Sequence, residues 1–341
     1  MTAVLRAAGP DDLDELFGLA RREGRGVTSL PPNREHLATR LERSAASFAR
    51  TPARPGPEEY LFVAESGTGQ LVATSAIAAR VGGYDPFYTY EVREERVTHA
   101  PLGVDRIHRV LHLKTEHKGP TELCGLLVDP AHRGSGLGRL ASLGRLVFMA
   151  TEPDRFASTT IAEIRGFQDG EGVSPFWEAV AKTFLAPRQF GEADMLTGLG
   201  EKDFVADLMP RHPIYADLLP PAVRQIIGEP HPAAMSALHL LHQEGFTPSR
   251  EVDIFDAGPI LECRTRAIRT VRSTRVRTVA AADLPGERTR VIVMTLDGSP
   301  RAVICHAAVT HDEVSFASSE RAVLGVVAGD RAAVAALVPT R

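Results

Sequence analysis

The stretch LCGLLVDPAHRGSGLGRLASLGRLVFMA, residues 123–150, predicts a strand, a basic glycine-rich turn and a helix in that order. Residues 123–128 are apolar enough for a buried strand, an Asp-Pro pair ends it, and residues 137–149 carry apolar side chains at helical spacing. In the turn, residues 133–138, glycines let backbone N–H groups close around a phosphate, while Arg133 and the positive helix end attract the charge. The stretch therefore predicts a diphosphate-binding site.

Three ligand classes use turns of this kind. A nucleoside-triphosphate loop ends in Gly-Lys-Ser/Thr, whereas Arg and Leu follow Gly138, so nothing would reach the terminal phosphates. A dinucleotide site is a closer match, because residues 136–141 fit G-x-G-x-x-A, but the first glycine does not follow the strand directly and Glu163 falls within its predicted strand. The remaining pattern, R-x-x-G-x-G after a strand, resembles the pyrophosphate loop of acyl-CoA-dependent N-acyltransferases. We favour that interpretation, with a dinucleotide site and a purely structural turn as alternatives.

Composition restricts the class of function. A chain of 341 residues suggests two or three domains, and a net charge of −4 offers no whole-chain attraction for nucleic acid or an anionic membrane. The three cysteines are widely separated, which argues against a disulfide framework and against a thiolate zinc cluster. The N-terminus is too acidic for an export signal, and no apolar run approaches the ~20 residues of a membrane span. We expect a cytoplasmic protein that acts on small molecules, without nucleic-acid or membrane partners.

The order of predicted elements indicates an α+β fold. A short strand and helix begin the chain, residues 34–48 form a second helix, and residues 60–64 and 71–79 form a hairpin. Residues 80–122 contain strand-like segments that the sequence does not place.

A repeated order of elements predicts two related halves. Residues 160–164 and 224–227 are each predicted as a strand followed by a loop and a helix, at 176–184 and 233–244 respectively. A coincidence of two unrelated segments is the alternative. We predict three domains: an acyl-CoA-binding domain, a second half that carries the catalytic residue, and a small β-rich appendage. Their ranges are 1–190, 191–262 and 263–341.

Longer signatures extend the resemblance to one enzyme family. They are GVTSLPP at 26–32, DPFYTY at 85–90, TELCGLLVDPAHR at 121–133, AEIRG at 162–166, SPFWE at 174–178, ADLMPRHPIY at 206–215, IIGEPHP at 226–232, EGF at 244–246 and VDIFDAGP at 252–259. In this order they resemble arginine N-succinyltransferases and their ornithine-using relatives. The resemblance implies a GNAT-like acyltransferase fold, succinyl-CoA as co-substrate, the α-amine of L-arginine as acceptor and a role in arginine catabolism.

The resemblance also implies site residues. The succinyl-CoA contact falls on Leu126 and the proton donor on His231, beside the CoA-binding Arg133, Gly134, Gly136 and Gly138. Thioester aminolysis needs a donor for the oxyanion and an acid for the departing thiolate. A backbone N–H near Leu126 suits the first role, and an imidazole whose pKa a helix N-terminus lowers suits the second. A structural histidine between two prolines is the alternative.

Other side chains suggest weaker hypotheses. Glu163 is predicted to hold a substrate amine or guanidinium and Arg165 a succinyl carboxylate, with an ordinary ion pair between them as the alternative. Cys124 among leucines is typical of packing rather than of a nucleophile. No metal or permanently bound cofactor is predicted, because three histidines in a strand-like segment lack a metal-binding motif. They are His108, His112 and His117.

Two departures from the family pattern affect the acceptor. The stretch TEHKGPTELC, residues 115–124, is less polar than its counterpart in the family, and Pro230 replaces an aliphatic residue before His231. Ornithine or another amine therefore stays open as the acceptor. Acetyl-CoA as donor and a CoA-binding module without turnover are separate alternatives. The resemblance also leaves open a homo-oligomer or a paralogous partner subunit.

Overall fold

A computed structural model describes residues 2–23, 30–296 and 298–337. Residues 26–29 of the GVTSLPP signature lie outside this range. The strands, in chain order, are β1 Val4–Ala7, β2 Glu59–Glu65, β3 Leu71–Ala78, β4 Thr89–His99, β5 Val104–Lys114, β6 Thr121–Val128, β7 Thr159–Glu163, β8 Ile214–Tyr215, β9 Thr247–Val252, β10 Pro259–Arg264, β11 Arg275–Val279, β12 Thr289–Thr295, β13 Arg301–Val309, β14 Glu313–Ser315 and β15 Arg331–Ala336.

The helices lie between these strands, singly or in groups. They are α1 Leu13–Glu23, α2 Arg34–Phe48, α3 Leu137–Thr151, α4 Pro175–Ala179, α5 Ala181–Leu185, α6 Phe190–Gly198, α7 Asp203–Leu208, α8 Pro221–Ile226, α9 Met235–Gln243, α10 Arg269–Ser273 and α11 Ser318–Leu324. Within the described ranges, no helix has both the length and the apolar composition needed to cross a membrane.

The chain forms two compact units, each built from separate segments. Unit 1 comprises Met1–Ala79, Leu123–Ser158 and Arg264–Arg341, and unit 2 comprises Arg80–Glu122 and Thr159–Cys263. These differ from the contiguous ranges predicted from the sequence. The physical reason is strand pairing, since β13 near the C-terminus pairs with β1 and so joins the N-terminal segment. That the chain contains two related halves stays a prediction.

Unit 1 contains a long sheet with helices packed on it. The strand order is β12, β15, β11, β14, β13, β1, β2, β3 and then β6 from Leu123 onward. Helices α1 and α2 bury leucines against β2 and β3, as their apolar spacing predicts. Helix α3 is buried along most of its length. The C-terminal strands are therefore an integral part of this sheet, and the predicted β-rich appendage is not a separate body.

Unit 2 contains the residues that the sequence did not place. Strands β4 and β5 form a long antiparallel hairpin from Thr89↔Lys114 to His99↔Val104. Gly103 closes its turn with a φ of 61°, in the left-handed region that favours glycine. Within unit 2, the strand order is the first residues of β6, then β7, β10, β9, β4, β5 and β8. The core beneath it combines aliphatic side chains with the large aromatic rings of Tyr90, Phe176 and Trp177.

Some predicted elements of unit 2 are wrong. Residues 224–227 were expected to be a strand, but they belong largely to helix α8, which has Pro221 in its first turn, where proline favours helix. The predicted helix 176–184 is interrupted at Val180, whose φ of −121° and ψ of −77° separate α4 from α5. The helix predicted at 233–244 is confirmed as α9.

Candidate active site

The glycine-rich turn of residues 133–138, here called the anion turn, lies at the N-terminus of α3. Asp129 ends β6, and its carboxylate accepts hydrogen bonds from Ala131 N at 3.0 Å and Arg22 Nε at 2.8 Å. Gly134 and Gly136 have φ angles of 77° and 90°. A side chain at either position would strain the backbone, so both glycines are needed for the strand to turn into the helix.

Two backbone N–H groups in the anion turn have no backbone acceptor among the described residues. In the described part of the chain, no backbone acceptor meets the N–H of Gly134 or Gly136, and the first N–H groups of a helix have none within it. A Cβ on Gly138 would lie 3.4 Å from Val128 Cγ2, which shows how closely the helix packs on β6. Arg133 is exposed beside these donors. Four predicted CoA-binding residues thus share one turn whose N–H groups can bind an anion.

Leu126 follows an irregularity in β6. Gly125 has a φ of 60° within the strand, and a Cβ there would lie 3.1 Å from Ala76 Cβ. Thr74 Oγ1 donates a hydrogen bond to Gly125 O at 2.8 Å and fixes this conformation. A glycine in the left-handed region bends a strand and changes the direction of the residue after it. The backbone of half-buried Leu126 is therefore oriented differently from that of a regular strand.

A buried arginine supports this bend. Arg145 of α3 is only 2% exposed, and its Nη1 donates to Cys124 O at 2.9 Å and Ala76 O at 3.0 Å. The guanidinium thus connects α3 with β3 and β6 on either side of the bend. The sequence analysis missed Arg145, because an arginine in an apolar helix gives no indication of its acceptors.

Glu163 ends β7 in an acidic environment. Burial is the largest cause that raises its pKa well above the ordinary value, followed by the negative charges of Glu122 and Asp253. Lys202 opposes this effect. The residue is nevertheless exposed to solvent at the end of the strand, so its carboxyl group is accessible to a ligand. A carboxyl group of this kind can accept a proton or hold a cationic group.

Arg165 lies two residues further and is half-buried. Its Nη2 donates to Gln168 Oε1, and the described residues contain no ion pair between Glu163 and Arg165. Burial lowers the pKa of Arg165, but a guanidinium remains charged throughout the physiological range. The simple ion-pair alternative is therefore not seen.

Two hydrogen bonds, one from its backbone N–H and one to its ring, hold His231 in place. Its N–H donates to Arg165 O at 2.8 Å, and its Nδ1 accepts the N–H of Ala233 at 3.1 Å. Because a backbone N–H can only donate, Nδ1 carries no proton and the neutral ring has its proton on Nε2. Burial, and then the charge of Arg165, lower the pKa of His231. The geometry thus favours a neutral imidazole that donates through Nε2.

A turn that the sequence analysis recognised only as a family signature holds His231 in place. This anchor turn, residues 253–258, contains Asp256, which is 6% exposed. Its carboxylate accepts from Gly166 N and Gly258 N, each at 2.8 Å. Ala257 has a φ of 55°, and its carbonyl accepts from Gly228 N at 2.8 Å. The anchor turn therefore fixes both the segment after β7 and the segment leading to His231.

Two glycines allow these segments to approach. A Cβ on Gly166 would lie 2.4 Å from Asp256 O, and one on Gly258 would lie 2.2 Å from Ile164 O. No real Cβ approaches a backbone atom this closely, so larger residues would separate the segments. Signatures 162–166 and 252–259 thus contain glycines for a shared packing reason, although they are distant in sequence.

The three histidines considered as metal ligands pair with different carboxylates. The pairs are His108 Nδ1 with Asp217 Oδ2 at 2.5 Å, His112 Nε2 with Glu95 Oε1 at 3.4 Å, and His117 Nδ1 with Glu251 Oε2 at 3.7 Å. Among the residues that the structure describes, no group of three or more His, Cys, Asp or Glu side chains is placed to bind a metal ion.

Comparisons with known proteins establish the family. The family model described as Arginine N-succinyltransferase beta subunit matches residues 3–270. Proteins named Arginine N-succinyltransferase from Enterobacter sp. (strain 638) and Salmonella paratyphi B are 38% and 40% identical over 340 and 286 residues, covering 98% and 83% of each chain respectively. A solved structure, the arginine/ornithine succinyltransferase subunit AI from Pseudomonas aeruginosa, superimposes with a TM-score of 0.89 at 34% identity and 99% coverage of both chains. The α+β prediction is confirmed, and the chain belongs to the arginine N-succinyltransferase family of acyltransferases.

Proposed function

We propose that this protein transfers the succinyl group of succinyl-CoA to the α-amine of L-arginine. The observation that carries the proposal is the near full-length match to relatives named Arginine N-succinyltransferase. Family membership supports an acyl-CoA donor and an amino-acid acceptor, and the succinyl and arginine identities are the specific part of the proposal. The cytoplasmic location and a homo-oligomeric or paralogous assembly stay predictions.

Unit 1 would hold the acyl-CoA. The anion turn offers the N–H groups of Gly134, Gly136 and Gly138 to the pyrophosphate, with Arg133 as counter-charge. The bend at Gly125 directs the backbone at Leu126, and the N–H of that residue would polarise the thioester carbonyl. Both parts use backbone donors, which are fixed before the ligand binds.

Glu163 and Arg165 would serve the charged groups of the substrates. The neutral α-amine is the nucleophile, so an ammonium group must first lose a proton. Glu163, whose pKa burial raises, can receive that proton more readily than an ordinary glutamate. Arg165 offers a guanidinium to the succinyl carboxylate, a pairing that favours two parallel hydrogen bonds.

Bond making and breaking would then occur without a covalent enzyme intermediate. The amine nitrogen attacks the thioester carbon, the oxyanion collapses, the C–S bond breaks, and the nitrogen loses its remaining extra proton to solvent. His231 Nε2–H donates a hydrogen bond to the sulfur as negative charge develops there. The thiolate leaves and takes its proton from water. Because His231 Nδ1 accepts the N–H of Ala233, the ring is neutral. This geometry supports a hydrogen-bond donor at Nε2 rather than an imidazolium that transfers a proton to the sulfur.

The test is thiol release by the purified full-length protein. Succinyl-CoA is supplied with L-arginine, with L-ornithine or with no acceptor, and acetyl-CoA replaces it in a parallel series. Release that requires both succinyl-CoA and L-arginine is the expected result. Thiol release only with ornithine, another amine or acetyl-CoA would contradict the proposed substrates. The protein would still be an acyltransferase that uses a CoA thioester. CoA binding with no release under any combination would instead indicate a non-catalytic module.

A further inference from the structure

Arg290 of β12 reaches the anion turn. Its Nη2 lies 3.6 Å from the position that a Cβ would occupy on Gly136. Gly136 immediately precedes α3, so the guanidinium is beside the backbone donors at the start of that helix. Arg290 is exposed, and it belongs to the C-terminal segment for which the sequence analysis suggested no function.

Strand pairing determines this position. Arg290 O accepts from Leu337 N at 3.0 Å, and the next residue pairs with both neighbouring strands. Further along the same helix, a Cβ on Gly144 would lie 3.8 Å from Ile292 Cδ1. Helix α3 therefore approaches β12 at two points about two turns apart. The base of the Arg290 side chain is fixed by the sheet.

No carboxylate among the described residues compensates the charge of Arg290. Within the described ranges, its guanidinium forms no ion pair and no side-chain hydrogen bond. A cation at the positive end of a helix is electrostatically unfavourable, because the open N–H groups carry charge of the same sign. An anion between them would reverse this effect. The planar guanidinium can form two parallel hydrogen bonds with a phosphate.

We propose that Arg290 is a phosphate-binding residue for the acyl-CoA substrate. The inference rests on the proposed function, since it adds a side chain to the CoA site of unit 1. It also assigns a role to a strand outside residues 3–270, the part that the family model matches. The pyrophosphate and the ribose 3′-phosphate of CoA share the chemistry that Arg290 would recognise.

The test measures CoA binding by calorimetry with the full-length protein and three variants. Arg290→Gln removes the charge, and Arg290→Lys keeps it. The control is Arg331→Gln, an exposed arginine on neighbouring β15, where Thr295 pairs with Ala332. Arg331 thus lies near the opposite end of β12, roughly 20 Å from Arg290 at about 3.3 Å per residue.

We expect Arg290→Gln to raise the Kd for CoA about tenfold or more, as for the loss of one charge-assisted hydrogen bond. Arg290→Lys should regain part of the affinity, and Arg331→Gln should match the wild type. Repeating the titration with dephospho-CoA distinguishes the two phosphates. An equal loss with both ligands assigns Arg290 to the pyrophosphate, and a loss with CoA alone assigns it to the 3′-phosphate.

The two proposals fail in different ways. If the wild type does not bind CoA, the proposed function is wrong. If the wild type binds CoA and Arg290→Gln binds it as tightly as Arg331→Gln does, the role of Arg290 is overturned while the proposed function stands. Thermal unfolding of each variant checks its folding, and the charge-retaining lysine variant gives the decisive titration if the glutamine variant unfolds.

Discussion

The anion turn of unit 1 and the anchor turn of unit 2 both place residues in the left-handed region, but they treat backbone donors in opposite ways. In the anion turn, the N–H groups of Gly134 and Gly136 meet no backbone acceptor within the described residues. In the anchor turn, Asp253 Oδ1 accepts from Phe255 N at 2.7 Å and Asp256 N at 2.8 Å. The first turn is open to a ligand, whereas the second is closed on itself.

The difference shows how unit 2 positions His231. An open turn gains hydrogen bonds only when an anion arrives, so its contribution appears in binding. A closed turn has its bonds already, so its contribution appears in the stability and orientation of what it holds. The anchor turn holds the segment leading to His231 through Ala257, and through Asp256 it holds the segment after β7, where Arg165 O accepts from His231 N. Mutations in the two turns should therefore affect different measured quantities.

The largest effect is expected at His231 itself. His231→Ala removes the Nε2–H donor and should lower kcat by about a hundredfold to a thousandfold, the usual cost of losing one hydrogen-bond donor to the charge of a transition state. The Kd for CoA should change little, because the anion turn is intact. Steady-state kinetics and CoA titration measure the two quantities. His239→Ala is the control, since His239 is an exposed histidine on α9. Equal kcat values for the two variants would remove His231 from the mechanism.

The next largest effect is expected in the anchor turn. Asp256→Asn keeps the shape of the side chain but replaces one of its two acceptor oxygens with an NH2 group. Either Gly166 N or Gly258 N then loses its acceptor. A buried donor left unpaired costs about 1–3 kcal/mol of stability. We expect a lower denaturation midpoint and a kcat reduced by about tenfold through displacement of His231.

CoA binding, which depends on the anion turn, serves as the control measurement for the anchor-turn variants. Asp256→Asn should leave the Kd for CoA unchanged, and Asp256→Ala, which removes both acceptors, should reduce stability further. Normal kcat in a destabilised Asp256→Asn protein would show that the anchor turn supports folding without positioning His231.

The same two turns explain how much could be predicted from the sequence. The anion turn is a local structure, so its strand, glycines and helix are contiguous, and the prediction of 123–150 is confirmed. Helix α2 and the β2–β3 hairpin are likewise contiguous, and their predicted positions agree with the structure. Local periodicity and turn chemistry are sufficient for elements of this kind.

The features that could not be predicted from the sequence depend on contacts between residues far apart in the chain. The function of Asp256 depends on Gly166, which is 90 residues away, and no spacing rule relates them. Residues 224–227 are apolar enough for a strand, but their helical state follows from the proline start of α8 and from tertiary context. In the sequence, nothing distinguishes Arg290 from the other arginines. Its place beside Gly136 follows from the position of β12 in the sheet.

A smaller effect is expected when the anion turn is strained. Gly136→Ala forces a residue with a Cβ into a φ of 90°, which costs about 1–3 kcal/mol. We expect the Kd for CoA to rise about tenfold, because the turn must move to relieve the strain. At saturating donor, kcat should stay near the wild-type value. Gly170→Ala is the control, since nothing lies within 4 Å of its Cβ position. A fall in kcat without a change in Kd would contradict the division between open and closed turns.

The smallest effect is expected in the titration of His231. Burial and the positive charge of Arg165 lower its pKa, so Arg165→Gln should raise that pKa toward the ordinary value of about 6.5. Because the folded-state pKa is lowered, the neutral imidazole stabilises the fold above the unfolded pKa, and this contribution is lost as the pH falls from there toward the folded pKa. NMR of the imidazole proton resonances measures the shift, with exposed His239 as internal reference. An unchanged His231 titration in Arg165→Gln would assign the lowered pKa to burial alone and would show that the charge of Arg165 does not influence the histidine.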